Sequence, residues 1–123
     1  MKDKTYKQRI GKWGEQVAMQ FLIDRGMQFV AQNVRTPFGE LDLIMQDSDG
    51  LVVVEVKART SSKFGMPEEA ITASKREHLI LSLESYLQTQ SGLPDSWRID
   101  VIAIRGKPTD DNPEVVWFQN AVV

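Results

Sequence analysis

The chain has 123 residues, 41% hydrophobic and 26% charged, a balance that fits one globular domain, 1–123, with a single core and excludes both a disordered segment and two ordinary domains. It contains no cysteine, which excludes disulfides and thiolate metal sites and leads us to expect a cytoplasmic protein. The basic start MKDKTYKQRIGKW lacks the apolar core of a signal peptide, and no run is long enough to span a membrane.

Taken in chain order, residues 5–25 predict a helix, with Ile10, Gly14, Val17, Ala18, Phe21 and Leu22 at helical spacing and Gly26 as the stop. Gly11 and Gly14 are costly inside a helix and point to a close approach to its backbone, for instance by a strand. Residues 27–34 suit a strand, and TPFG a turn. The stretch GELDLIMQDSDGLVVVEVKAR, 39–59, predicts a hairpin around a four-residue loop, DSDG. A second helix is expected from Glu68 to Gln90, with Ile71, Leu79, Leu83, Tyr86 and Leu87 on its apolar side. SGLPD ends it, WRIDVIAIR alternates as a strand, and EVVWFQ follows the turn-rich GKPTDDNP as a short last strand. The order α-β-β-β-α-β-β describes an α/β domain with a central sheet flanked by helices.

The formal net charge of −2 argues by itself against a nucleic-acid partner, because phosphate binding leaves a basic footprint. Its distribution points the other way. Lys2, Lys4, Lys7, Arg9 and Lys12 against Asp3 give residues 1–12 a balance of +4. Lys57, Arg59, Lys63, Lys75 and Arg76 against Glu68 and Glu69 give residues 57–76 a balance of +3, which leaves −9 elsewhere. One basic side is the functional interpretation, and ordinary surface solvation is the plain one.

The hairpin raises a sharper question, because Glu55 interrupts the valine run of a strand that is otherwise built for burial. A buried carboxylate must be paired, hydrogen-bonded or metal-bound. With Gln46 opposite Leu51, Ile44 faces Val53, Asp42 faces Glu55 and Glu40 faces Lys57. Alternation then sets Glu40, Asp42, Glu55 and Lys57 on one face and Leu41, Leu43, Val54 and Val56 on the other. Directly opposed like charges are destabilising. A divalent cation would relieve them, since Mg²⁺ takes one or two carboxylates with waters and phosphate oxygens. The competing interpretation is a salt bridge of Glu55 with Lys57 or an arginine, and Glu40 is read as a structural partner of Lys57. Glu15, at the edge of the first helix's apolar stripe, is a candidate third carboxylate or an ordinary flank residue. His78 is read as a helix-surface residue, Lys75 as a lysine within reach of a phosphate or simply solvated, and Asp100 as an ion-pair partner of Arg98. Trp13, Trp97, Trp117 and Phe118 are read as core or interface.

GEQVAMQFL, GELDLIMQD, VVVEVKAR, FGMPEEAI with Lys75, and RIDVIAI occur in the order in which they resemble the YraN-type family of small bacterial proteins. That family in turn resembles the PD-(D/E)XK nucleases, in particular the archaeal Holliday-junction resolvases. The resemblance implies a restriction-endonuclease-like fold with a mixed sheet between helices. It makes Asp42 the first motif acid, Glu55 and Lys57 the E-x-K pair, and Glu15 the acid of the first helix. Leu41 stands where the motif has proline. It further implies Mg²⁺ or Mn²⁺ held by Asp42, Glu55 and the Val56 carbonyl, with Lys57 orienting water or neutralising the phosphate. On the basic side, Lys4, Lys7, Arg9, Lys12, Arg59, Lys63 and Lys75 are the expected DNA contacts. Three readings follow: a metal-dependent endonuclease of branched DNA, expected to dimerise to cut two strands; a nuclease-fold binding module with little turnover; and an interaction protein whose acid pair is a salt bridge.

Overall fold

Thr5 opens the first helix with a reciprocal cap, its side chain accepting from the Gln8 N–H at 3.1 Å while the Gln8 side chain accepts from the Thr5 N–H at 2.9 Å. In this computed structural model, which describes residues 5–60 and 72–121, the helix α1 runs Tyr6–Ile23 and buries Ile10, Gly14, Ala18 and Leu22. The four-residue spacing of those positions forms one stripe along the helix. Gly26, at φ 90, turns the chain into β1 (Gln28–Thr36), followed by β2 (Gly39–Asp47) and β3 (Gly50–Arg59). The helix α2 (Ala73–Gln88) leads to β4 (Trp97–Arg105) and β5 (Glu114–Phe118).

The five strands form one sheet in the order β1-β2-β3-β4-β5. All neighbours are antiparallel except β3 and β4. Parallel neighbours need a crossover connection, and α2 lies within it. The sheet is mixed, with one helix on each face among the described residues, and the α/β order expected from the sequence holds. On the α1 side Ala18 and Leu22 pack on Leu43, Met45, Val52, Val54, Ile102 and Ile104. On the α2 side Leu79 and Leu83 pack on Leu41, Ile44, Leu51, Val53, Ile99 and Val101. A valine strand buried on both faces explains why β3 reads as a continuous apolar run.

Several local expectations need correction. The hairpin loop is two residues rather than four, because Asp47 pairs with Gly50; Asp47 Oδ1 accepts from the N–H groups of Asp49 and Gly50 at 2.8 and 3.1 Å and so tightens the turn. The strand β1 continues past Val34 to Thr36. The second helix begins at Ala73, with Thr72 as its cap; its expected start at Glu68 lies outside the described residues. Leu41 and Leu43 do not share a face, since Leu41 packs toward α2 and Leu43 toward α1. The cause lies at Asp42. The β2–β3 ladder runs to Leu43 and Val54, and Asn33, which stands across β1 from Asp42, takes a left-handed φ of 51. Regular alternation is lost where the ladder stops.

Gly14 bears out the close strand approach. A Cβ there would stand 2.6 Å from the Ala58 Cβ of β3. Gly11 does not, as a Cβ there would meet nothing within 4 Å.

Candidate active site

The register expected from the turn holds along the hairpin, with Gln46 opposite Leu51, Ile44 opposite Val53 and Leu43 opposite Val54. Asp42 and Glu55 come next, just past the end of the ladder. Released from strand pairing, Asp42 turns its Oδ2 to the Val56 N–H at 3.1 Å. Burial first, and then the Glu55 charge, push the Asp42 carboxyl up to about 7; Glu15 adds to this, while the Val56 N–H and Lys75 oppose it. The two acids are therefore brought together, and Asp42 is the one left without sufficient counter-charge.

Glu55 is 5% exposed and has its compensation in two lysines. Lys75 Nζ lies 3.0 Å from its Oε1 and Lys57 Nζ 3.9 Å from the same oxygen. Lys57 projects from β3, whereas Lys75 is set by the first turn of α2, where the Lys75 N–H donates to the Thr72 Oγ1 at 3.1 Å. Partial burial is the largest influence on the Lys75 ammonium and lowers its pKa, but Glu55 and then Asp42 outweigh it, and the net shift is upward. The salt-bridge interpretation of Glu55 is thus realised, chiefly through Lys75. It leaves Asp42 uncompensated.

Glu15 reaches the site from α1. Its Oε1 accepts from Asn33 Nδ2 at 2.9 Å, and its charge acts on Asp42. Glu40 does not meet Lys57. Its Oε2 lies 3.8 Å from Arg35 Nε and its Oε1 accepts from Asn33 Nδ2 at 3.2 Å, because the ladder that would have carried Glu40 across to Lys57 has already ended. Asn33 is the residue the sequence reading missed: it bridges Glu15 and Glu40 and takes a bond from Lys12 Nζ at 2.8 Å. The signal for it is weak, an asparagine inside a strand pattern, the residue type that most readily tolerates positive φ after glycine.

Among the described residues, no three or more His, Cys, Asp or Glu side chains gather as a ready-made metal cluster. The site is instead a two-carboxylate pair, with hard oxygen donors that suit Mg²⁺ or Mn²⁺ rather than a soft metal. Of the expected DNA contacts, Lys7, Arg9, Lys12 and Arg59 are exposed and Lys75 half-buried; Lys4 and Lys63 lie outside the described residues. His78 sits on the α2 surface with Nδ1 2.8 Å from the Ser74 carbonyl. Asp100 is held by Arg98 Nε, Trp117 Nε1 and the Asn120 N–H, at 3.0, 2.9 and 2.7 Å, which accounts for its burial.

An α/β domain whose sheet lies between α1 and α2, with two acids and two lysines beside the end of one hairpin, is what the geometry defines. The chain belongs to the family described as "Uncharacterised protein family UPF0102", whose model matches residues 14–104, the same family as the YraN-type proteins it resembles. It is 38% identical to a UPF0102 protein of Janthinobacterium sp. (strain Marseille) over 99% of this chain and 94% of the relative. It is 42% identical to one of Thermus thermophilus over 81% and 87%, and 38% identical to one of Vibrio parahaemolyticus over 94% and 93%. Among the described residues, no helix is long and apolar enough to cross a membrane.

Proposed function

We propose that this protein is a Mg²⁺- or Mn²⁺-dependent endonuclease that hydrolyses phosphodiester bonds in branched DNA. The observation that carries the reading is the Asp42–Glu55 pair. Burial and Glu55 hold the Asp42 carboxyl near 7, so at neutral pH the site carries an unmet demand for positive charge. Asp42 and Glu55, with the Val56 carbonyl, are the residues that would hold the cation. When bound, it neutralises charge on the scissile phosphate and activates a water. The chain's own residues do the rest. Lys57, two positions from Glu55 on β3, orients the attacking water or stabilises charge on the phosphate. Glu15, fixed by Asn33, orders the outer side of the site. Lys75 supplies a second positive charge beside Glu55. Cutting both strands of a junction symmetrically calls for two copies.

The second reading, a nuclease-fold module that binds DNA with little turnover, draws its support from Lys75. At 3.0 Å from Glu55 it already satisfies one of the two acids. A panel of branched and linear DNAs in Mg²⁺ and in Mn²⁺ separates the two. The enzyme cuts at least one branched substrate and Asp42→Asn does not, whereas the module binds DNA and cuts none.

A further inference from the structure

Two glycines three residues apart on α1 have different reasons to be there. Gly14 is required by β3, since a Cβ would collide with Ala58 at 2.6 Å. Gly11 meets nothing within 4 Å, so no contact among the described residues demands it, although glycine weakens a helix interior. The space it leaves opens outward, and two shallow grooves meet there. One, of about 460 Å³, lies between the start of α1 and the end of β3 and is lined by Tyr6, Lys7, Ile10, Val56, Arg59 and Thr60 as well as Gly11. The other, of about 440 Å³, lies between α1 and the β1–β2 edge and is lined by Lys12, Glu15, Asn33, Arg35 and Glu40 as well as Gly11.

The first groove carries Lys7 and Arg59 and no carboxylate. It is also flanked by Tyr6, 58% exposed, an aromatic face available to a base. The second groove leads to Glu15, whose charge is felt by Asp42. Gly11 is thus a low saddle between a cationic groove and the groove that holds Glu15.

We propose that the backbone of a DNA strand crosses α1 at Gly11, with its phosphates on Lys7 and Arg59 and its path continuing toward Glu15 and Asp42, and that the missing side chain is clearance for that strand. This rests on the reading of the protein as DNA-binding, and it adds the path of the substrate. A glycine kept for clearance has an unusual signature: filling it improves the free protein and harms the complex. Gly11→Ala, which adds helix propensity without a clash, is expected to raise Tm by about 2–5 °C while weakening DNA binding. Gly11→Leu, which fills the saddle, is expected to weaken binding on the order of tenfold or more, the loss of a few charge-assisted phosphate contacts.

The experiment is fluorescence anisotropy of a labelled branched DNA in Ca²⁺, beside thermal denaturation, for the wild type, Gly11→Ala, Gly11→Leu and Gln16→Leu. Gln16 is exposed on α1 outside both grooves, so its variant should bind as the wild type does. If the wild type binds and both Gly11 variants bind equally well, the path over α1 is wrong and the DNA-binding reading stands. If Gly11→Leu fails to fold, Gly11→Ala decides: a more stable protein with undiminished affinity overturns the clearance role. If the wild type binds no DNA, the broader reading falls and takes this one with it.

Discussion

Asp42 and Glu55 are neighbours of the same chemical type, yet the chain treats them oppositely. Glu55 has Lys75 and Lys57 on one oxygen, whereas Asp42 has a single backbone N–H. The difference has a measurable sign. A carboxyl at 3.8 in the unfolded chain and about 7 in the fold makes the native state hold the extra proton between those values. Stability therefore falls as pH rises from about 4 to about 7 and then levels off. Asp42→Asn keeps an oxygen for the Val56 N–H and abolishes the charge. It is expected to remove most of that slope and to make the metal-free protein more stable than wild type at pH 8, read by urea denaturation across pH. Glu55→Gln should also soften the slope, since the Glu55 charge helps to raise Asp42, but should cost on the order of 1 kcal/mol of stability, because it strips the partner of Lys75. Mg²⁺ binding, followed by calorimetry, should be lost in both. Equal stability effects of the two substitutions would contradict the asymmetry.

The elements that place these acids were legible to different depths. The hairpin register followed from a valine run and turn-forming residues, because a one-residue slip would have turned its buried side chains to the wrong face, and α1 followed from its apolar spacing. The opposite orientations of Leu41 and Leu43 were not legible. They depend on Asn33 leaving the extended region across the sheet, a tertiary event that period-two reading of β2 cannot register. The cap of α2 was hidden for another reason: Thr72 lies inside a stretch that local helix propensity reads as continuous, and propensity does not mark a cap within such a run. Packing of α1 on β3 provides a clean element-scale test. Gly14→Ala gains helix propensity and still should destabilise the protein by about 1–3 kcal/mol, because its Cβ would stand 2.6 Å from that of Ala58 and the helix must lift off the strand. In a double-mutant cycle, Ala58→Gly should recover much of that loss. Additive effects, measured by chemical denaturation, would mean that the helix and strand are not in register contact there.

At the scale of the whole molecule, the proposed function asks the charges to divide between gripping DNA and acting on it, and the net −2 makes that division important: a protein without a basic surplus has few cations to spare for affinity. Exposed Lys7, Arg9, Lys12 and Arg59 are placed for the grip, which should weaken steeply with salt. Lys57 differs from them in lying 3.9 Å from Glu55, with its side chain only 28% exposed. If it stabilises charge that develops on the phosphate, Lys57→Ala should slow single-turnover cleavage at saturating DNA on the order of 10²-fold or more, with affinity in Ca²⁺ nearly unchanged. A gripping lysine would behave otherwise: its loss would weaken binding across sequences and reduce the salt slope by about one charge, leaving the rate at saturation intact. Lys75→Ala is the informative companion, because the ion pair at 3.0 Å ties Lys75 to Glu55 before any substrate arrives. Its removal should leave Glu55 less well compensated and so tighten Mg²⁺ binding, whatever it does to the rate. Cleavage by Lys57→Ala at the wild-type rate, with a reduced salt slope, would move Lys57 from the chemistry to the grip and leave Lys75, 3.0 Å from Glu55, as the remaining lysine to test for the chemistry.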